Sequence, residues 1–255
     1  MAHAFQPPID RFCPAGAGEP SPHGSNSQAY QTHTSVSQCQ ANRGLSVQYV
    51  TACICLESSG SLTFQATGAL AAFAPKLYQH LARNLRELFE RYPHLTHNFP
   101  NSIFPAASFN CGPRTVALDH TDFNNLSHGL CALTALGNYD HTRGGHLILF
   151  GLKLAIQFPV GSTALIPSGC VSHGNTPIGE GEIWLSIAQY AAGGLFRWVA
   201  YGFQSAKTLL KTRAGRKLKK QLDKRAGERW REGLAMFSKV GGLQADAEDV
   251  FNRVD

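Results

Sequence analysis

Between Arg114 and Tyr190 the sequence is cut into short β-prone runs by Gly and Pro, and no helical period intervenes. Residues 115–118, 130–136, 146–150, 152–158, 162–166 and 182–190 read as strands, and 195–203 reads as the last. The run 130–136 is continuously apolar, as expected of a strand buried on both faces. Strong turn chemistry lies between, over 137–145 and at Pro159-Val-Gly161. Seven or eight short strands in this order predict a sandwich or a barrel. The fold class expected is α+β, mainly β: a double-stranded β-helix, or jelly roll, with buttressing helices and a basic helical C-terminus.

The flanks differ in character. Residues 1–42 are rich in Ser, Gln, Pro, Gly, His and Asn and have few aliphatics, so they read as a flexible polar segment. The globular unit is expected over 43–205. It begins with strands: 45–50 alternates, 51–56 is β-rich, and Ser58-Ser-Gly-Ser turns the chain before Leu62-Thr-Phe. The clearest helix spans 74–92, with Leu77, Leu81, Leu85, Leu88 and Phe89 on one stripe, Pro75 in its first turn and Pro93 at its end. A helical extension follows over 206–255.

Composition excludes several classes. No apolar run approaches the ~18–20 residues that span a bilayer, so no membrane association is expected. The first residues show no apolar h-region, so no secretory leader is expected. Seven cysteines, an odd number without a CxxC pair, argue against a disulfide framework and for a reducing, intracellular setting. The net charge of +6 is concentrated: eleven Lys and Arg against two acidic residues lie between Lys207 and Arg231. The body is therefore not a basic nucleic-acid surface. The 207–231 helix reads as a solvated helix docked on one side, or as a phosphate-binding surface for DNA. Arg213-Ala-Gly-Arg-Lys-Leu-Lys-Lys220 also fits a nuclear import signal, which favours the nucleus over the cytoplasm.

The chemistry-bearing pattern is His120-Thr-Asp122, answered by His173 after Ile166-Pro-Ser-Gly. Two imidazoles and one carboxylate form a metal face that holds Fe(II) and leaves three positions open. Residues two apart at a strand end project to the same side, and the 51 positions between Asp122 and His173 leave room for the strands that bring the chain back. Asn124, Asn125 and His128 follow closely enough to line a substrate mouth or to orient a ligand carboxylate. His94, His97, His141 and His146 read as surface or packed histidines.

Motifs in order around the triad carry a resemblance. They are Phe99-Pro-Asn-Ser-Ile-Phe-Pro-Ala, Asn110-Cys-Gly-Pro, His120-x-Asp122, Ala132-Leu-Thr-Ala-Leu-Gly, Gly144-Gly-His-Leu, Pro167-Ser-Gly, His173-Gly-Asn-Thr-Pro-Ile and Gln189-Tyr-Ala-Ala-Gly-Gly-Leu-Phe-Arg-Trp. Together they resemble the Fe(II)/2-oxoglutarate dioxygenase domain of mushroom-type fungi, which is similar to the TET/JBP nucleobase oxygenases. The resemblance covers about half of the chain, from Ala71 to Phe203. It implies His120, Asp122 and His173 as iron ligands, Fe(II) and 2-oxoglutarate as cofactors, and hydroxylation of a C–H bond. The implied substrate is 5-methylcytosine or another modified nucleobase in DNA. A protein side chain or a small molecule is the alternative, as is a non-catalytic metal-binding protein on the same scaffold.

One departure from the family pattern stands out. An Arg two positions before a Ser, on the strand after the distal His, grips the far carboxylate of 2-oxoglutarate in that family. Here the stretch reads Trp184-Leu-Ser186. Ser186 is in place, but a neutral indole with one N–H cannot make a bidentate grip on a carboxylate. Either another cation serves (Arg197, Lys153 or Arg114), or cosubstrate binding is weakened or altered, or metal is kept without turnover.

Overall fold

A computed structural model describes residues 57–95, 97, 99 and 101–252. The polar segment expected over 1–42 and the strands expected over 43–56 lie outside those residues.

Two helices open the described chain, α1 (Glu57–Phe73) and α2 (Pro75–Arg91). The strand expected at Leu62-Thr-Phe, with the turn before it, is instead part of α1. Ala66, Leu70 and Ala74 recur every fourth position and are buried, which is a helical stripe that outweighs the β preference of the Thr and Phe. The expectation for α2 is met: Pro75 occupies its first turn, and Leu77, Leu81, Leu85 and Leu88 form its buried face.

Seven strands follow: β1 (Ala106–Asn110), β2 (Cys131–Asn138), β3 (Leu147–Leu149), β4 (Leu154–Ile156), β5 (Thr163–Ile166), β6 (His173–Asn175) and β7 (Ile183–Tyr190). They form two antiparallel sheets, one in the order β1-β7-β2-β5 and one in the order β4-β3-β6. Side chains alternate across the larger sheet. Cys131, Ala135, Ile166, Trp184 and Tyr190 meet Leu147 and Leu149 of the smaller sheet in one apolar cluster. The opposite face, through Ala132, packs with α1 and α2 in a second cluster. The small sheet ends at β4, whose three residues are all exposed, Leu154 and Ile156 among them.

Residues 115–118, expected as a strand, form no ladder of their own. They run beside β6 through single contacts: Asn175 N donates to Ala117 O (3.0 Å) and Ala117 N donates to Asn175 Oδ1 (2.7 Å). The approach is so close that a Cβ on Gly174 would lie 2.5 Å from Ala117 O, so only glycine fits there.

Residues 195–203 are a second correction. They belong to helix α3 (Gly193–Ala200) and the turn after it, not to a last strand. Leu195 and Phe196 are buried and Val199 packs beside them, a spacing of three to four that anchors one helical face. The helical extension is broken rather than continuous. It comprises α4 (Ala206–Leu209), α5 (Arg213–Lys224), a 3-10 turn over Arg225–Gly227, α6 (Arg229–Ala235) and α7 (Leu243–Phe251). Ser205 and Thr212 cap α4 and α5 with their side-chain oxygens. Among the described residues no helix is long and apolar enough to cross a membrane.

The extension touches the body at a defined point. A Cβ on Gly233 of α6 would lie 2.7 Å from the Cβ of His128, so α6 rests directly on the loop that follows Asp122. His128 in turn stands 5.6 Å, centre to centre, from the ring of His80 on α2, and His80 stacks on Phe196 of α3 at 5.2 Å.

Candidate metal centre

The chain enters the site along β6. His120 and His173 face each other as an isolated antiparallel bridge. His120 N donates to His173 O (3.1 Å) and His173 N donates to His120 O (2.9 Å). Asp122 is held one turn further on, where its N donates to Ser168 O (2.8 Å). The three side chains converge: their ligating atoms all lie within 4.8 Å of one another. His120 Nε2 is 3.8 Å from Asp122 Oδ1, and His173 Nε2 is 4.0 Å from Asp122 Oδ2. A facial set of donors about 2.1 Å from a metal sits about 3 Å apart, so a contraction of about 1–2 Å completes the geometry.

The tautomers favour metal. His120 Nδ1 lies 2.8 Å from Leu118 O, and His173 Nδ1 lies 3.0 Å from Val171 O. A carbonyl can only accept, so each Nδ1 carries the proton and each Nε2 presents a lone pair toward Asp122. Both carbonyls come from the residue two before the histidine. Burial is the largest influence on His173 and holds its pKa below the usual imidazole value, which keeps the ring neutral. Asn125 Nδ2 donates to Asp122 Oδ2 (3.2 Å) and to Ser168 Oγ (3.1 Å), fixing the carboxylate from behind. Ser172 Oγ donates to Asp119 Oδ1 at the same edge. Ser168 lies in the Pro167-Ser-Gly motif and Ser172 in none, but the role of each depends on a pairing across some fifty residues and is not readable from sequence.

The remaining expected residues scatter. Asn124 is exposed, and its carbonyl accepts from Gly193 N (2.9 Å), tying the loop to the start of α3. Phe123 is 84% exposed beside the ligands. His128 turns to the helices and packs against His80 and Gly233 rather than lining a mouth with Asn124 and Asn125. Arg197 lies exposed on α3, not on a strand, Lys153 is exposed at the left-handed residue before β4, and Arg114 is exposed where its backbone passes Trp184.

Ser186 is in the interior, where it accepts from Asn110 Nδ2 (2.8 Å). Trp184, two positions before it, faces the same way and is 3% exposed. Its indole N–H is buried without a hydrogen bond of good geometry. It interacts with the hydroxyl of Tyr139, which gives its own proton to Phe158 O. Tyr190, on the same face of β7, pairs its hydroxyl with Ser108 Oγ at 3.3 Å. A shallow surface dimple next to Asn125 is lined by Cys131, Ser168 and Tyr190 among others, and by no charged side chain. Burial pushes the Cys131 thiol up to about 12, with the Asp122 charge adding to the effect, so this wall stays un-ionised.

No family model matches the chain, and no curated protein matches it. Several solved structures resemble parts of it, these two among them. One is NgTET1 in complex with 5mC DNA, at 18% identity and a TM-score of 0.34, over 38% of this chain and 37% of that one. The other is the viral collagen prolyl hydroxylase vCPH from Paramecium Bursaria Chlorella virus-1 in its 2OG complex. It is 16% identical with a TM-score of 0.25, over 44% of this chain and 70% of that one. The chain thus spans little more than a third of the first structure's length.

Proposed function

We propose that this protein is an Fe(II)-dependent oxygenase of the 2-oxo-acid class, built on a jelly roll, with His120, Asp122 and His173 as its metal ligands. The jelly-roll reading is supported by the strand order β1-β7-β2-β5 against β4-β3-β6, with residues 115–120 running beside β6 as a fourth strand would. The metal reading is carried by one observation: three donor groups converge with both Nδ1 protons already committed to carbonyls. The donor set of two imidazoles and one carboxylate suits Fe(II) and leaves open positions.

With Fe(II) held by His120, Asp122 and His173, the metal would activate dioxygen, which is the oxidant: one oxygen atom would go to a substrate C–H bond as hydroxyl and the other to the 2-oxo acid, which would leave as CO₂ and the shortened carboxylic acid. The chain's own part is positional. The His120–His173 bridge sets the angle between the rings, Asn125 holds the carboxylate, and exposed Phe123 and Leu118 offer an apolar lip to a substrate.

The substrate reading is a modified nucleobase in DNA, 5-methylcytosine being the first to try. It is supported by the cations of α5 and its flanks, of which Lys211, Arg213, Lys217, Lys220 and Lys224 are exposed. Such a surface would bind phosphates without regard to sequence, and the same basic stretch would suit nuclear import. A second reading, a metal-binding protein without turnover, is favoured by Trp184. The test is direct. Anaerobic Fe(II) or Co(II) titration is expected to give one site that Asp122→Ala abolishes. Incubation with a 5-methylcytosine oligonucleotide, a 2-oxo acid and oxygen is expected to give a product heavier by one oxygen. One metal site without any product under a panel of 2-oxo acids and substrates would select the second reading. Equal metal uptake by Asp122→Ala would end both. Charge reversal at Lys217 and Lys220 is expected to weaken DNA binding and flatten its dependence on salt, with little effect on metal uptake.

A further inference from the structure

We infer that the interior end of this site selects a 2-oxo acid with an uncharged tail and discriminates against the dicarboxylate 2-oxoglutarate. The inference rests on the metal reading above.

The argument begins with what a second carboxylate would meet. A ligand that chelates the metal and reaches between the sheets must run along the inward face of β7 and its neighbours. That face carries Trp184, Ser186 and Tyr190, with Asn110 and Ser108 opposite on β1. Every one of these groups is neutral. Among the described residues no Lys or Arg is buried, and the three cations the sequence offers for this role, Arg114, Lys153 and Arg197, are all exposed. A carboxylate taken from water into such a place loses its hydration and gains no opposite charge. Hydroxyls and amides that already pair with each other offer little in exchange.

Trp184 decides the matter because of where it stands. It is almost fully buried and faces inward two residues before Ser186. Its ring packs closely there: Gly145 comes so near that a Cβ on it would sit 3.2 Å from Trp184 Cδ1. The single N–H of the indole can donate to a carbonyl or rest against an aromatic edge, but it carries no charge to answer a carboxylate. An aliphatic or methyl tail suits this wall, so pyruvate and 2-oxoisovalerate are the fitting ligands.

The test measures binding rather than turnover. The Fe(II)-loaded protein, kept anaerobic, is titrated separately with pyruvate, 2-oxoisovalerate and 2-oxoglutarate at fixed ionic strength, following the visible charge-transfer band of the chelate. At least one uncharged-tail acid is expected to bind roughly tenfold to hundredfold more tightly than 2-oxoglutarate, the scale of a lost charged hydrogen bond. Trp184→Arg is expected to reverse the order. Because an arginine in the core can prevent folding, Trp184→Phe is the companion variant. It removes the N–H and keeps the neutral wall, so the preference is expected to persist. Equal or tighter binding of 2-oxoglutarate by the unaltered protein would overturn the inference, as would no binding of any 2-oxo acid to protein shown to hold Fe(II). A reversed preference in folded Trp184→Phe would overturn it too. Failure to hold Fe(II) at all, with His120→Ala indistinguishable from the unaltered chain, sinks the metal reading and is told apart by the metal titration alone.

Discussion

His120 and His173 exchange both of their backbone hydrogen bonds, at 3.1 and 2.9 Å, and their rings stand 4.3 Å apart at 45°. The two histidines are therefore partners in the fold independently of any metal. Their separation is set by β-pairing, and only the side chains need to close in. Asp122 is the more adjustable member, since it sits on a loop held by Ser168 O and by the Asn125 amide.

Asn125→Ala removes that amide. Outer partners of metal ligands are commonly worth a factor of 10–100 in affinity, and a loss of about that size is expected here in a Co(II) titration, with circular dichroism unchanged. Unaltered affinity in a folded variant would show that Ser168 O alone holds the loop.

The affinity for metal is expected to fall in acid, with His173 contributing little of that loss near neutral pH. Burial lowers the His173 pKa from 6.5, so this ring stays neutral there and its proton competes only in acid. Titrations at pH 7.5 and 5.5 measure the difference. A steep loss between pH 8 and 7 would contradict a lowered value.

Acid should loosen the helical side of the molecule. His80 is held down to about 4, first by burial and then by the charges of His128 and Arg83, and His128 is lowered by burial against the opposing pull of Glu232. A group lowered in the folded chain takes up its proton first when unfolded, so stability is full above pH 6.5 and drains as pH falls toward about 4. Thermal melts across that range are expected to slope downward. His80→Phe, which keeps the stack on Phe196 and cannot titrate, should flatten the slope.

Gly233→Ala should destabilise. The added methyl would meet the His128 Cβ at 2.7 Å, where neither backbone has room to give. Overpacking of this kind costs about 1–3 kcal/mol, which lowers Tm by roughly 3–10 °C in a chain of this size. An unchanged Tm would mean that α6 shifts freely on the loop.

The sequence made the triad legible because its spacing is chemical. A His-x-Asp at the end of a β-prone run and a lone His after Pro-Ser-Gly survive any error in the strands around them. Five of the six strands between residues 130 and 190 were legible for the same reason that they fold, since turn residues bound them closely on both sides; the short β6 was not. Where local preference and packing disagree, the reading failed. Leu62-Thr-Phe prefers extended backbone by itself, yet the stripe of Ala66, Leu70 and Ala74 against α2 makes it helical. Leu195 to Phe203 is rich in aromatic and β-branched residues, yet Gly193 N bonds Asn124 O and the chain turns into α3. No window of neighbouring residues contains that bond. The position of Trp184 was readable, but that no Lys or Arg is buried with it among the described residues could be learned only from three dimensions.

The edge at β4 bears on all of this. Leu154, Ala155 and Ile156 are exposed, and β3 pairs with β4 on one side and with the His173 strand on the other. Open edges of this kind invite a further strand. Only one strand separates that rim from His173, so a strand added at β4 would extend the same sheet on which the candidate metal centre is built, and metal affinity is to be measured at more than one protein concentration.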